Sequence, residues 1–134
     1  MNYWLVKSDP ETYGWPEMKK DKTTFWNGVR NHAARLNLLG MKKGDTVLFY
    51  HSNTDKAIMG TVKVAKEAYH DHTSDEERWV MVDLTFDSEF KNMVTLADMK
   101  QAPALAEIGL IRQSRLSVMP ITKAEYEMIV KMGE

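Results

Sequence analysis

The sequence predicts an α+β fold built round a curved, largely antiparallel sheet or small barrel, and three observations carry that expectation. Two long alternating segments, 57–69 and 79–90, are separated only by a polar stretch, the pattern of neighbouring antiparallel strands. Shorter aromatic or branched runs at 3–7, 46–51 and 116–119 read as further strands, with helical spacings inserted among them in no regular alternation. The chain has 134 residues with 43% hydrophobic content, which favours one compact domain, 1–134, over two domains or a disordered chain. A doubly wound parallel sheet does not fit this order.

Tyr3-Trp4-Leu5-Val6-Lys7 is aromatic and branched, and Ser8-Asp9-Pro10 ends it as a turn. The segment 11–21 predicts a short helical turn kept irregular by Gly14 and Pro16. The stretch FWNGVRN, 25–31, contains Asn-Gly, a strong hairpin signal, yet Val29, Ala33, Leu36 and Leu39 then recur at helical spacing. Asn27-Gly28 is therefore read as a helix entrance, with Asn27 as the cap, and Arg30 and Asn31 in the first turn. In that reading Gly28 permits close approach to the backbone, and Trp26 and Asn31 share a cavity at the positive end of the helix.

Met41-Lys42-Lys43-Gly44-Asp45 reads as a basic last turn with a glycine stop before the nearly continuous strand Thr46 to His51. In 79–90, Trp79, Met81, Asp83 and Thr85 fall on one face and Val80, Val82, Leu84 and Phe86 on the other. Between the long strands, 70–78 reads as a solvated acidic loop. Thr95-Leu96-Ala97-Asp98 starts a short helix, Pro103 suits the first turn of the next, and Leu116 to Met119 forms a short strand. Thr122-Lys123-Ala124-Glu125 is a capping box opening a last helix with Tyr126, Ile129 and Val130 inward.

Composition narrows the function classes. The net charge of −1 argues against a protein that grips long duplexes by neutralising many phosphates. Residues 1–66 hold eleven Lys and Arg against six Asp and Glu, whereas 67–134 hold seven against thirteen. Whether that asymmetry becomes a basic and an acidic face or interleaves in space stays open. Without cysteine there is no disulfide, thiolate zinc site or thiol nucleophile. No apolar run approaches the roughly 18 residues of a membrane span, and the start does not resemble a signal peptide. An intracellular, cytoplasmic protein is expected.

Ser8, His51 and Asp45 supply the residue types of a hydrolytic triad, but there is no G-x-S-x-G elbow, and His51 and Ser52 alternate along a strand. His70-Asp71-His72 places two imidazoles at i and i+2, yet the surrounding acidic residues favour a solvated loop over a metal site. Neither a P-loop nor G-x-G-x-x-G occurs. The aromatic content says more. Trp4, Trp15, Trp26, Tyr3, Tyr13 and Phe25 interleave with Lys7, Lys19, Lys20, Lys22 and Arg30, which suits a base stacked in a pocket with phosphate at its rim. The same rings also suit a core, and the cluster by itself leaves both readings open.

The blocks YWLVKSDPETYGW, FWNGVRNHAARLNLLGMKKGD, VLFYHSN, RWVMVDLTF and SRLSVMPIT, in this order over almost the whole chain, resemble the EVE domain family. The resemblance implies a PUA-like fold, a curved antiparallel or mixed β-barrel flanked by short helices, related to YTH domains. It also implies a non-enzymatic module that accepts a modified nucleobase of DNA or RNA in an aromatic pocket. The family pattern places that pocket on Lys7, Ser8, Asp9 and Pro10, on Trp26 and Asn31, on Tyr50, His51 and Ser52, and on Arg115, Leu116 and Ser117. Trp15 and Arg30 are further candidates, with Arg30, Arg115 and Lys7 at a phosphate rim. Ser8, Asn31 and Ser52 are expected to hydrogen-bond the base edge.

The chain departs from the family pattern at Asp9, where Glu is usual, at Asn27, where Asp is usual, and at His32-Ala33, where Tyr-Gln is usual. Ligand identity is therefore not transferred between members. No cofactor or metal is expected, the partner is nucleic acid carrying a modified base, and the molecule is expected to be a monomer. The rival classes are an enzyme acting on a nucleotide or base, with His51 or Asp9 as acid or base, and a protein interaction module.

Overall fold

A computed structural model describes residues 1–53 and 55–134. Six strands form one mixed sheet: β1 (Tyr3–Ser8), β2 (Thr23–Trp26), β3 (Thr46–His51), β4 (Ala57–His70), β5 (Val80–Thr95) and β6 (Val118–Ile121). Their order is β2-β5-β4-β3-β1-β6. Only β1 and β3 pair in parallel, with Tyr3 opposite Thr46 and Ser8 opposite His51. The other pairs are antiparallel, as the alternating long strands predicted. The sheet is curved but not closed, because β2 and β6 remain separate edges, so the expected barrel is an open one. Register irregularities between β4 and β5 at Ile58/Gly60, Thr61/Val62, Val64/Lys66 and Lys66/Tyr69 add twist along the two longest strands.

Among the described residues the helices are α1 (Trp15–Asp21), α2 (His32–Gly40), α3 (Leu96–Lys100), α4 (Gly109–Arg112) and α5 (Lys123–Met132), with a 3-10 turn at Pro103–Leu105. Alternation along the strands sends side chains to two apolar clusters. Trp4, Val6, Val47, Phe49, Val62 and Leu84 join Trp15 and Met18 of α1 and Ala34 and Leu38 of α2. Leu5, Leu48, Tyr50 and Ile58 join Met99, Leu105, Ile108, Leu110 and Ile129 on the other side. Trp15 is 2% exposed and lies against Phe49 and Phe86, so it anchors α1 as a core ring. Burying a ring of this kind contributes roughly 2 to 3 kcal/mol.

Local capping signals are realised at both expected C-terminal helices. The Thr122 side chain accepts from Glu125 N while the Glu125 carboxylate accepts from Thr122 N, and Thr95 Oγ1 accepts from Asp98 N. The region after β1 differs from expectation in three ways. Thr23–Trp26 is an edge strand on β5, which the Asn-Gly signal obscured. Helix α2 starts at His32 and its cap is Asn31, whose Oδ1 accepts from Ala34 N at 2.9 Å. Asn27 is not the cap. The inward face of α2 is Ala34 and Leu38, while Leu36 and Leu39 are exposed, so the face drawn from Val29 was rotated. Among the described residues no helix is long and apolar enough to cross a membrane.

Candidate nucleobase cavity

Between the end of β1, the edge strand β2 and the link into α2 lies a cavity of about 560 Å³. Its lining includes Lys7, Ser8 and Asp9 from the β1 end, Tyr13, Thr24, Phe25 and Trp26, then Asn27, Gly28, Val29 and Arg30, and finally Ser117. Thr12 completes the wall. The volume falls within the range of small-molecule sites.

Trp26 ends β2 with its ring half-buried. It meets Phe49 edge-on at 5.6 Å and Tyr13 edge-on at 6.3 Å, so neighbours hold the indole plane without enclosing it. Tyr13 donates its hydroxyl to Asp21 Oδ2 at 2.9 Å. Burial and the Asp21 carboxylate push the phenol up to about 12, so it stays neutral.

The β1 end is held by its own turn. Asp9 carbonyl oxygen accepts from Thr12 N and Tyr13 N, and Asp9 Oδ1 accepts from Glu11 N at 3.0 Å. Ser8 Oγ donates to the Tyr13 carbonyl. Lys7 donates its ammonium to the Ser114 carbonyl at 2.6 Å, and burial lowers its pKa. Lys7 N also donates to Ser117 O, which brings Ser117 to the cavity.

The far wall depends on a buried carboxylate that the sequence reading placed in a solvated loop. Asp71 is fully buried. Its Oδ2 accepts from Gly28 N at 2.8 Å and from Arg30 Nη1 at 3.0 Å, and its Oδ1 accepts from Thr73 N at 2.8 Å and from Thr73 Oγ1. Burial pushes the carboxyl up, but these four donors outweigh it and hold it well below the ordinary carboxylate range. Gly28 adopts φ +81°, the left-handed region open to glycine at little cost, and this points its N–H at Asp71. The Arg30 guanidinium, 39% exposed, lies 5.7 Å from the centroid of Trp79. Among the described residues no group of three His, Asp or Glu side chains is arranged to hold a metal ion.

The other residues proposed from the sequence lie outside the lining. Pro10 sits in the turn after β1. Asn31 caps α2. Tyr50 is buried in the cluster with Leu5 and Leu48. His51 accepts Trp15 N–H on Nε2 at 2.8 Å and lies 2.8 Å from Asp55 through Nδ1, so its neutral Nδ1–H form satisfies both contacts. Ser52 binds the Ser8 carbonyl. Leu116 packs against the core, and Arg115 is exposed. Trp15 donates Nε1–H to Glu89 and does not reach the cavity. Seven lining residues lay outside the predicted pocket set, Thr12, Tyr13, Thr24, Phe25, Asn27, Gly28 and Val29, although Tyr13 and Phe25 stood in the aromatic cluster; the run Thr23-Thr24-Phe25-Trp26, rich in β-formers, was the signal that went unread.

Comparison with known proteins bears on the family and the fold. The EVE domain model matches residues 2–132. Mouse thymocyte nuclear protein 1 is 34% identical, the alignment covering 99% of this chain and 74% of that protein. A Rhodopseudomonas palustris protein solved by NMR superposes with a TM-score of 0.95 at 41% identity, covering 99% of this chain and 93% of that one. The human THYN1 protein, solved in complex with 5-methylcytosine-containing DNA, superposes with a TM-score of 0.91 at 33% identity, covering 100% of this chain and 98% of that one. The chain therefore belongs to the EVE domain family.

Proposed function

We propose that this chain is a non-catalytic nucleic-acid-binding protein that takes one modified base of DNA or RNA into the Trp26 cavity. The observation that carries the reading is the half-buried Trp26 ring, held on edge by Tyr13 and Phe49, at a cavity that Lys7 and Arg30 also line. The human relative bound to 5-methylcytosine-containing DNA supports the ligand class. Stacking a base on the indole contributes ~1 to 3 kcal/mol.

The polar groups suit an uncharged ring. Ser8 Oγ has its proton committed to the Tyr13 carbonyl, so it meets a base as an acceptor and suits an exocyclic amino group. Ser117 and Thr12 bring hydroxyls that both donate and accept. Lys7 and Arg30 then hold phosphate beside the base. Both His51 nitrogens are engaged away from the cavity, which supports the non-catalytic reading against His51 as an acid or base there.

Binding of the wild type to short oligonucleotides, identical except for one modified base, tests the reading. Tighter binding of at least one modified form is expected. Equal affinity for every modified form and the plain oligonucleotide overturns it.

A further inference from the structure

Phe25 is 46% exposed on the edge strand, so part of its phenyl face is open to solvent. His72 meets it edge-on at 4.8 Å. Asp71, next in the chain, ties this pair to Gly28 and Arg30. Arg30 lies over one part of Trp79 at 5.7 Å, and Arg78 lies over the same ring at 5.1 Å. The hydrogen bond from Asp71 N to Trp79 O holds the two ends of the loop together, so one loop carries His72, Arg78 and Trp79 beside the cavity-lining residues Phe25 and Arg30.

We propose that the Phe25–His72 pair and the Trp79–Arg78 stack form a second contact surface for the strand that carries the bound base, holding the nucleotides next to it. The proposal rests on the cavity reading above and names what lies beyond the cavity. Flat aromatic and guanidinium faces accept any base by stacking, and they suit neighbours that lose their stacking partner when one base leaves the strand. The occupant is continuous with the ligand of the cavity, because Phe25 and Arg30 belong to both.

Charge sets the extent of the surface. Arg78 Nε donates to Glu76 at 2.7 Å in a pair with both side chains more than half exposed, an arrangement of little net worth that phosphate can displace. Asp75, Glu76 and Glu77 in the same loop disfavour a long phosphate track. The surface therefore serves one or two nucleotides and not an extended strand.

The test compares two probes on wild type, His72→Ala, Arg78→Ala and Trp26→Ala. The probes are a short single-stranded oligonucleotide with one 5-methylcytosine and the nucleoside 5-methyl-2′-deoxycytidine. His72 and Arg78 do not line the cavity. Each of their variants is expected to weaken oligonucleotide binding by about fivefold or more while leaving nucleoside binding unchanged. Arg78→Ala is also expected to lower the slope of affinity against salt by about one. Trp26→Ala is expected to lose both probes. Unchanged oligonucleotide binding in His72→Ala and Arg78→Ala, or equal loss of both probes, overturns the proposal. A wild type that binds neither these probes nor any other modified form of the series above contradicts the cavity reading itself, and this surface falls with it.

Discussion

The Asp71 carboxylate accepts the backbone N–H of Gly28 at 2.8 Å across 43 residues of sequence, and so fastens the β4–β5 loop to the wall of the cavity. The same oxygen accepts from Arg30, which fixes a cation beside the site before any ligand arrives. A loop that looks solvated by composition thus supplies the cavity's anchor.

Asp71→Ala leaves the Gly28 N–H and the Arg30 guanidinium without their acceptor. A loss of about 2 kcal/mol is expected, since hydrogen bonds to a buried charge are worth roughly this much. Urea unfolding measures it. A midpoint equal to the wild type contradicts the anchor.

The same carboxylate sets an acid dependence. Its folded pKa is depressed, so its stabilisation is present above the unfolded pKa of about 3.9 and is lost as pH falls below it. The stability gap between wild type and Asp71→Asn is expected to be full above about pH 5 and to narrow steadily from pH 4 downward. A gap that widens in acid has the wrong sign.

Two glycines separate strain from crowding. At Gly28 a Cβ meets nothing within 4 Å, so Gly28→Ala is expected to cost only the left-handed backbone penalty, about 1 kcal/mol. At Gly60 a Cβ collides with Ser88 O and lies 2.6 Å from Trp15 Cζ2. Gly60→Ala is expected to cost about 2 kcal/mol or more by overpacking. Thermal midpoints rank the two variants.

Asn31→Ala removes the cap of α2. The expected cost is about 1 kcal/mol, with Asn31→Asp retaining most of it. Unfolding of the two variants side by side checks the role of the side-chain oxygen.

His51 offers a spectroscopic check. The Trp15 N–H on Nε2 and the Asp55 contact at Nδ1 predict the Nδ1–H tautomer. Nitrogen NMR of the ring is expected to show a protonated Nδ1 and a bare Nε2. The opposite tautomer removes the bond that holds the start of α1.

Much of the fold was legible because its signals are local. The alternation in β4 and β5, the Thr122 capping box and the Thr95 cap are each read from a few adjacent residues. The parallel pairing of β1 with β3 is a choice between distant strands that no local pattern states. Strand β2 was hidden by the stronger turn signal of Asn27-Gly28, which is an irregular link with φ +81° at the glycine. For the cavity, Trp26, Lys7, Ser8, Asp9, Arg30 and Ser117 were named in advance. Asp71 was not, because burial of a carboxylate depends on donors that only the folded chain brings to it.

The most direct test of the account is the affinity of wild type and Trp26→Ala for oligonucleotides with and without a modified base, measured by calorimetry. The account predicts preference for a modified base in the wild type, and a loss of ~1 to 3 kcal/mol with that preference erased in Trp26→Ala. Equal binding of the modified oligonucleotide by both proteins, at equal folded stability, would contradict it.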